Sequence, residues 1–218
     1  MKRTTGFSAL RSGAPMLVGW AFIASPAQAT PEDTQLWFVV SAAVPLDQGI
    51  VANLEASPRL RQGADQLLTR ANVDVRLSEA VSVGAGGAYV EFAGGYELRP
   101  HQQVTISAGP LAFRTRVEQR FFDGAPRTEW RLRQRVAASL PLSGRTALTG
   151  SAEVLYIARP QHPAEEARVD SWRAIAGVQQ RLSPHLVAGL NYLLLLSPRE
   201  GAPDRLSHVP QVTLTFRP

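Results

Sequence analysis

From Thr34 onward, hydrophobic and polar residues alternate along the chain in segments of roughly ten residues, separated by turns. Two adjacent segments show the alternation most sharply. One reads Phe113-Arg114-Thr115-Arg116-Val117-Glu118-Gln119-Arg120-Phe121, and the next Thr128-Glu129-Trp130-Arg131-Leu132-Arg133-Gln134-Arg135-Val136. In each, one parity carries Arg and Glu and the other is mainly apolar or aromatic. A strand points successive side chains to opposite faces, so each segment has one charged face and one greasy face. Such a wall does not suit a sheet buried in a soluble enzyme. It suits a boundary between lipid and a polar lumen.

The same period sets the other elements. Strands are expected over 34–46, 50–60, 67–77, 81–90, 96–107, 111–122, 127–140, 146–157, 170–182, 186–196 and 208–217. In 67–77, Leu67, Thr69, Ala71, Val73, Val75 and Leu77 oppose Arg70, Asn72, Asp74 and Arg76. In the last segment, Val212, Leu214 and Phe216 oppose Gln211, Thr213, Thr215 and Arg217. Pro100 interrupts 96–107, because proline donates no ladder hydrogen bond. In the second half, tight connections at 141–145 and 183–185 alternate with polar ones at 123–126, 158–169 and 197–207, as short periplasmic turns alternate with longer outer loops. The expected fold is an all-β, antiparallel, up-and-down transmembrane β-barrel of about ten strands, with twelve as the alternative. Placing both 46–49 and 78–79 on the periplasmic side makes the first strand run downward and the count odd, whereas bacterial single-chain barrels are usually even.

The amino terminus adds the compartment. Lys2, Arg3 and Arg11 precede the apolar run Pro15–Ala24, and Ala27-Gln28-Ala29 fits a small-x-small cleavage site. Residues 1–29 are therefore expected to be a signal peptide, and residues 30–218 the barrel, in the outer membrane of a Gram-negative bacterium. The apolar run is about half of the ~20 residues that a helical span needs. No later segment approaches that length, and a spanning chain without helices must close as a barrel to pair its backbone.

Composition removes other classes. The chain has no cysteine, which excludes a lipid-anchored lipoprotein and a disulfide scaffold. Its basic pI misleads: three of the 23 basic residues leave with the signal peptide and all 18 acidic residues stay, so the mature net charge is about +2. There is no basic run and no helical basic stripe, and nucleic acid is not an expected partner.

The charged faces are the candidate functional residues. Arg114, Arg116, Glu118 and Arg120 sit on one strand and Glu129, Arg131, Arg133 and Arg135 on the next, leaving a local excess of four positive charges. Two readings follow. The lumen attracts anions, as arginine rings do in anion pores, or the charges form a salt-bridge ladder, completed by Glu55, Asp74 and Glu153, that fills a narrow barrel. Phe121, Trp130, Tyr156 and Trp172 flank the outer loops and resemble an interfacial aromatic girdle. His101, His162, His185 and His208 are far apart, so no metal motif is expected, and nothing points to a cofactor. There is no G-x-S-x-G elbow; Ser207 with His208, or His162 in its loop, are the only candidates for a lipid-modifying site, and an enzyme is not the favoured class. Gly84, Gly86 and Gly87 lack the dinucleotide-loop pattern, Tyr89 standing in place of its third glycine; they are expected to leave space beside large lumen arginines.

Several pieces occur in a recognisable order: Gln35-Leu36-Trp37, Gly86-Gly87-Ala88-Tyr89, Tyr96-Glu97-Leu98-Arg99, Arg114 to Phe121, Arg131 to Arg135, and Asn191-Tyr192. Together they resemble the bacterial domain-of-unknown-function family 2490, whose members resemble small outer-membrane β-barrels. The most specific element is the Arg-x-Arg-x-Glu-Gln-Arg-Phe run. The chain departs from the family where Glu97-Leu98-Arg99-Pro100-His101-Gln102-Gln103 replaces an aromatic-rich Glu-His-Arg strand, and it ends on Pro218 instead of an aromatic. The resemblance implies a location and a fold and no activity. The partners implied are outer-membrane lipid and the barrel-assembly machinery. Three function classes are carried forward: a porin-like barrel with anion-favouring passage or an envelope role, an outer-membrane lipid-modifying enzyme, and a soluble periplasmic barrel with its apolar faces turned inward around a ligand.

Overall fold

The computed structural model describes residues 31–218; the expected signal peptide lies outside the described residues. The chain there is strand and turn: β1 (Glu32–Thr34), β2 (Leu36–Asp47), β3 (Ile50–Leu60), β4 (Gln66–Arg76), β5 (Val81–Phe92), β6 (Gly95–Ala108), β7 (Leu111–Phe122), β8 (Glu129–Pro141), β9 (Thr146–Arg159), β10 (Arg168–Ser183), β11 (Leu186–Ser197) and β12 (Arg205–Phe216). From β2 to β12 each strand pairs antiparallel with the next, and β12 returns to β2, so the sheet closes on itself. Closure leaves no open backbone edge.

The closing ladder is parallel, from Gln211↔Trp37 to Phe216↔Ala42. β1 continues it, from Glu32↔Leu206 to Thr34↔His208. Between them the Gln35 N–H donates to the His208 carbonyl at 3.0 Å. β1 and β2 thus act as one strand with a local break, and the wall has eleven crossings. The count lies within the expected range. It is odd because β2 and β12 both run from the long-loop end toward the short turns, the end that 46–49 and 78–79 share. An odd up-and-down barrel can close only by setting its first and last strands parallel.

Connections differ at the two ends. Residues 48–49, 77–80, 109–110, 142–145 and 184–185 make the short-turn end, while 61–65, 93–94, 123–128, 160–167 and 198–204 make the other, which carries the three longest loops. Pro100 does not break β6. It pairs with Gly87 of β5, while the β6–β7 ladder omits Arg99 and Pro100 and resumes in the same register at His101↔Glu118. The missing proline N–H removes ladder bonds on one side only.

The alternation sorts the faces. Leu54, Leu67, Val73, Val104, Phe113, Val136, Leu148, Val178, Leu190 and Val212 are exposed on the outside, Leu190 by 69%. The opposite parity points inward. An inside-out barrel with an apolar interior is thereby overturned, because the charged parity is the buried one. The interior is nonetheless not wholly polar. Trp37, Leu193, Leu195 and Val209 form an inward apolar cluster, with Ile175 packed against it. Leu68, Val90 and Leu155 are fully buried as well. These residues occupy the half of the lumen toward the long loops, Leu155 beside Arg133 of β8 and Val90 beside Glu97 of β6.

Candidate functional site

The register of β7 against β8 decides how the lumen charges meet. Toward the long loops, Arg120 opposes Glu129 and Glu118 opposes Arg131. Toward the short turns, Arg116 opposes Arg133 and Arg114 opposes Arg135. Directly opposed unlike charges stabilise and like charges repel. One hairpin therefore carries two matched rows above two mismatched rows.

In the matched half, carboxylates and guanidinium groups saturate one another. Glu118, 1% exposed, accepts from Arg131 Nη2 at 2.6 Å and Nε at 2.9 Å, and from Arg133 Nη1 at 2.8 Å. Glu97 of β6 takes a bidentate pair from Arg99, both contacts at 2.6 Å, and also binds Arg120, which reaches Glu129 on its other side. Asp170 of β10 accepts from Arg131 at 3.2 Å. Arg120 lies over the Phe122 ring with its guanidinium carbon 4.5 Å from the centroid. Bidentate, charge-assisted contacts of this kind are what hold buried charges in place.

The mismatched half is relieved by neighbouring strands. Glu153 of β9 accepts from Arg133 Nη2 at 2.7 Å and from Arg114 at 2.9 Å. Arg116 instead meets a neutral acceptor, donating through Nε and Nη2 to the Gln103 amide oxygen at 3.0 and 2.6 Å. Arg135 donates to the Ser151 hydroxyl at 3.2 Å. Asp74 is spent on amides, accepting from Asn53, Asn72 and Gln103 at 2.7–2.9 Å. Glu55 pairs with Arg70 at 3.0 Å.

This half is hollow. A cavity of about 570 Å³ runs from Pro110, Ser139 and Arg217 near the short turns up to Trp37, Arg59, Arg133 and Glu153. A second, of about 300 Å³, adjoins it and includes Asp74, Gln103 and Arg116. Eight arginines line the two together, against three carboxylates, Glu55, Asp74 and Glu153. The rest of the lining is largely serine, threonine, glycine, alanine and asparagine, which keeps the space open.

All eight residues of the charge cluster expected from the sequence point into the lumen, but they do not act as one group. Glu118, Arg120, Glu129 and Arg131 belong to the filled half, Arg114, Arg116 and Arg135 face the cavities, and Arg133 stands at the boundary, donating to Glu118 while lining the larger cavity. Of the expected ladder carboxylates, Glu153 joins the network, Glu55 holds only Arg70, and Asp74 binds no arginine. Glu97, Arg99, Gln103 and Asp170 complete the network, and the alternation in β7 and β8 does not mark them. For β6 the signal existed, since Glu97, Arg99, His101 and Gln103 share one parity, but Pro100 obscured it. Phe121, Trp130, Tyr156 and Trp172 are all exposed on the outward face near the long-loop end.

The histidines do not converge. His101 is buried in the lumen, His162 is exposed in its loop, and His185 sits in a turn with Nδ1 2.9 Å from the Arg217 carbonyl oxygen. Ser207 and His208 are adjacent in sequence yet on opposite faces, which removes them as a catalytic pair. Ser207 is fully buried inside and donates to Asp33 at 3.2 Å, while His208 faces outward with Nδ1 2.6 Å from the Tyr192 hydroxyl. The glycines also differ from expectation. A Cβ on Gly84 would come within 2.0 Å of Asp74 Oδ1, and one on Gly86 within 2.2 Å of the Ala71 carbonyl oxygen. They permit close approach of β4 and β5 and do not make room for arginines.

The chain belongs to the family described as a protein of unknown function (DUF2490), whose model matches residues 34–205. An uncharacterized protein of Methylorubrum extorquens (strain AM1) is 26% identical over 222 residues, covering 93% of this chain and 96% of the relative. Among solved structures, the NanC porin superposes with a TM-score of 0.51 at 10% identity, over 75% of this chain and 87% of the porin. The KdgM porin gives 0.48 at 9% identity, over 74% and 91%. The NanC likeness shows a shared porin-like barrel fold.

Proposed function

We propose that this protein is an outer-membrane barrel that gives small solutes a narrow, anion-favouring passage, entered from a periplasmic vestibule. The observation that carries the reading is the hollow half of the lumen, where eight arginines face three carboxylates inside a wall whose outer surface is apolar. Rings of basic side chains favour anions in a confined aqueous path. The apolar outside supports a lipid environment, and the outward Phe121, Trp130, Tyr156 and Trp172 support an interfacial girdle toward the long loops. The short turns then face the periplasm. The filled half sets the conductance low, because the ion-pair network and the apolar cluster occupy the path toward the outer loops.

Fractionation and planar-bilayer recording test this reading together. The expected result is detergent-dependent recovery with the outer membrane, a faster-migrating unheated band, and a small anion-selective conductance. Replacing Arg114, Arg116 and Arg135 together by Gln is expected to remove the anion preference. Recovery in the soluble periplasm, or selectivity unchanged in the triple variant, rejects the proposal.

A further inference from the structure

The arginines that line the hollow half are not equivalent to a diffuse positive field. Several carry buried donor atoms with no acceptor: Arg116 Nη1, Arg70 Nε, Arg114 Nε and Arg173 Nε. Arg116 is the sharpest case. It is 2% exposed, its Nε and Nη2 edge is committed to Gln103, and Nη1 lies 3.6 Å from the Glu118 carboxylate, too far for a hydrogen bond. A buried donor left without an acceptor costs free energy that a ligand oxygen can recover.

The acceptors chosen around Arg116 and Arg135 point the same way. The matched half shows what this barrel does when it means to neutralise an arginine, since it supplies a carboxylate within 3 Å. At Arg116 and Arg135 it supplies an amide oxygen and a hydroxyl, which orient the guanidinium and leave its charge in place. Asp74, which lines the same smaller cavity as Arg116, is turned onto Asn53, Asn72 and Gln103. Gln103 thus bridges Asp74 to Arg116 and keeps the two charges from meeting. Arg135 lines the space of about 570 Å³ and Arg116 the adjoining one of about 300 Å³, and with Arg70, Arg114 and Arg217 common to both, the two together are of the size that holds a small molecule.

We infer that the hollow half is a discrete, saturable binding site for a small solute carrying a carboxylate or phosphate group, with Arg116 and Arg135 as its principal ligands. Their planar guanidinium groups suit the paired oxygens of either anion. The solute enters at the short-turn end, beside Arg217 and Ser139. The anion preference rests on the function proposed above, whereas the site itself does not require that anything cross the barrel.

The test uses the detergent-folded barrel and isothermal titration with inorganic phosphate and with succinate, at constant ionic strength balanced by chloride. The expected result is saturable binding of at least one of them that chloride does not reproduce. R116Q combined with R135Q is expected to weaken binding by at least about tenfold. S151D is a second variant, adding a carboxylate beside Arg135 while keeping every arginine, and is expected to weaken binding in the same direction. The compact unheated band verifies folding of each variant. No saturable heat beyond chloride, or equal affinity in the folded variants, overturns the inference. Saturable binding in a barrel that conducts nothing keeps the site and removes the passage. Anion-selective conductance without saturable binding keeps the passage and removes the site.

Discussion

Within the β7–β8 hairpin, the two charged rows toward the long loops pair two arginines with two glutamates, and the two charged rows toward the short turns hold arginine alone. Arg120–Glu129 and Glu118–Arg131 neutralise each other across the strands, and the lumen beside them is packed. Arg116–Arg133 and Arg114–Arg135 place like charges opposite one another, and the lumen beside them is hollow. Matched rows close in on themselves because each charge finds its partner at once. Mismatched rows need help from Glu153, Gln103 and Ser151, and that help is only partly ionic. The difference shows how exchanging two glutamates for two arginines along one sheet face turns a seal into a receptive surface.

The largest effect should come from breaking the seal. Glu118→Ala removes the shared acceptor of Arg131 and Arg133 and leaves both guanidinium groups under-compensated in a buried setting. Loss of one member of a buried ion network typically costs about 3–5 kcal/mol. The expected outcome is a clearly lower temperature for conversion of the compact band to the unfolded one, with raised conductance in whatever folds. A conversion temperature matching that of the native protein would mean the matched rows do not hold the seal.

A smaller effect is expected from the wall of the hollow half. Gly86→Ala forces a methyl group to within 2.2 Å of the Ala71 carbonyl oxygen and 2.4 Å of Asn72 Cβ. Spreading β4 from β5 should cost about 1–3 kcal/mol, as overpacking does elsewhere. The same thermal conversion reads it, and an unchanged midpoint would show that the strands approach less closely. The least effect belongs to Arg168→Ala. Arg168 and Glu165 pair at 2.8 Å with more than a third of each side chain exposed. Solvent screening holds such a pair to within about 0.5 kcal/mol. A midpoint shift as large as that of Glu118→Ala would remove the contrast between buried and solvated pairs.

Much of the wall was legible beforehand. The segment 50–60 coincides with β3, and 111–122 with β7, since alternation and flanking turns are local signals. The shared face of Arg114, Arg116, Glu118 and Arg120, and of Glu129, Arg131, Arg133 and Arg135, was legible for the same reason. Their partners were not. Glu97 contributes to the seal from beyond Pro100, and Arg131 reaches Asp170 two strands away, so neither contact leaves a mark in the spacing of either segment. Ser207 and His208 show the reverse error: nearness along a strand guarantees opposite faces, so sequence adjacency argued against a shared site.

By itself, the sequence determined which residues form strands and which parity of each strand carries charge, because a period of two is a property of consecutive residues. Only the tertiary structure decided that eleven crossings close through a parallel seam, since that depends on the two ends of the chain meeting. It alone also decided which arginines are neutralised. The pairing of each charge is set by the register of strands distant in sequence, and one residue of slip in any of them would exchange the inner face for the outer.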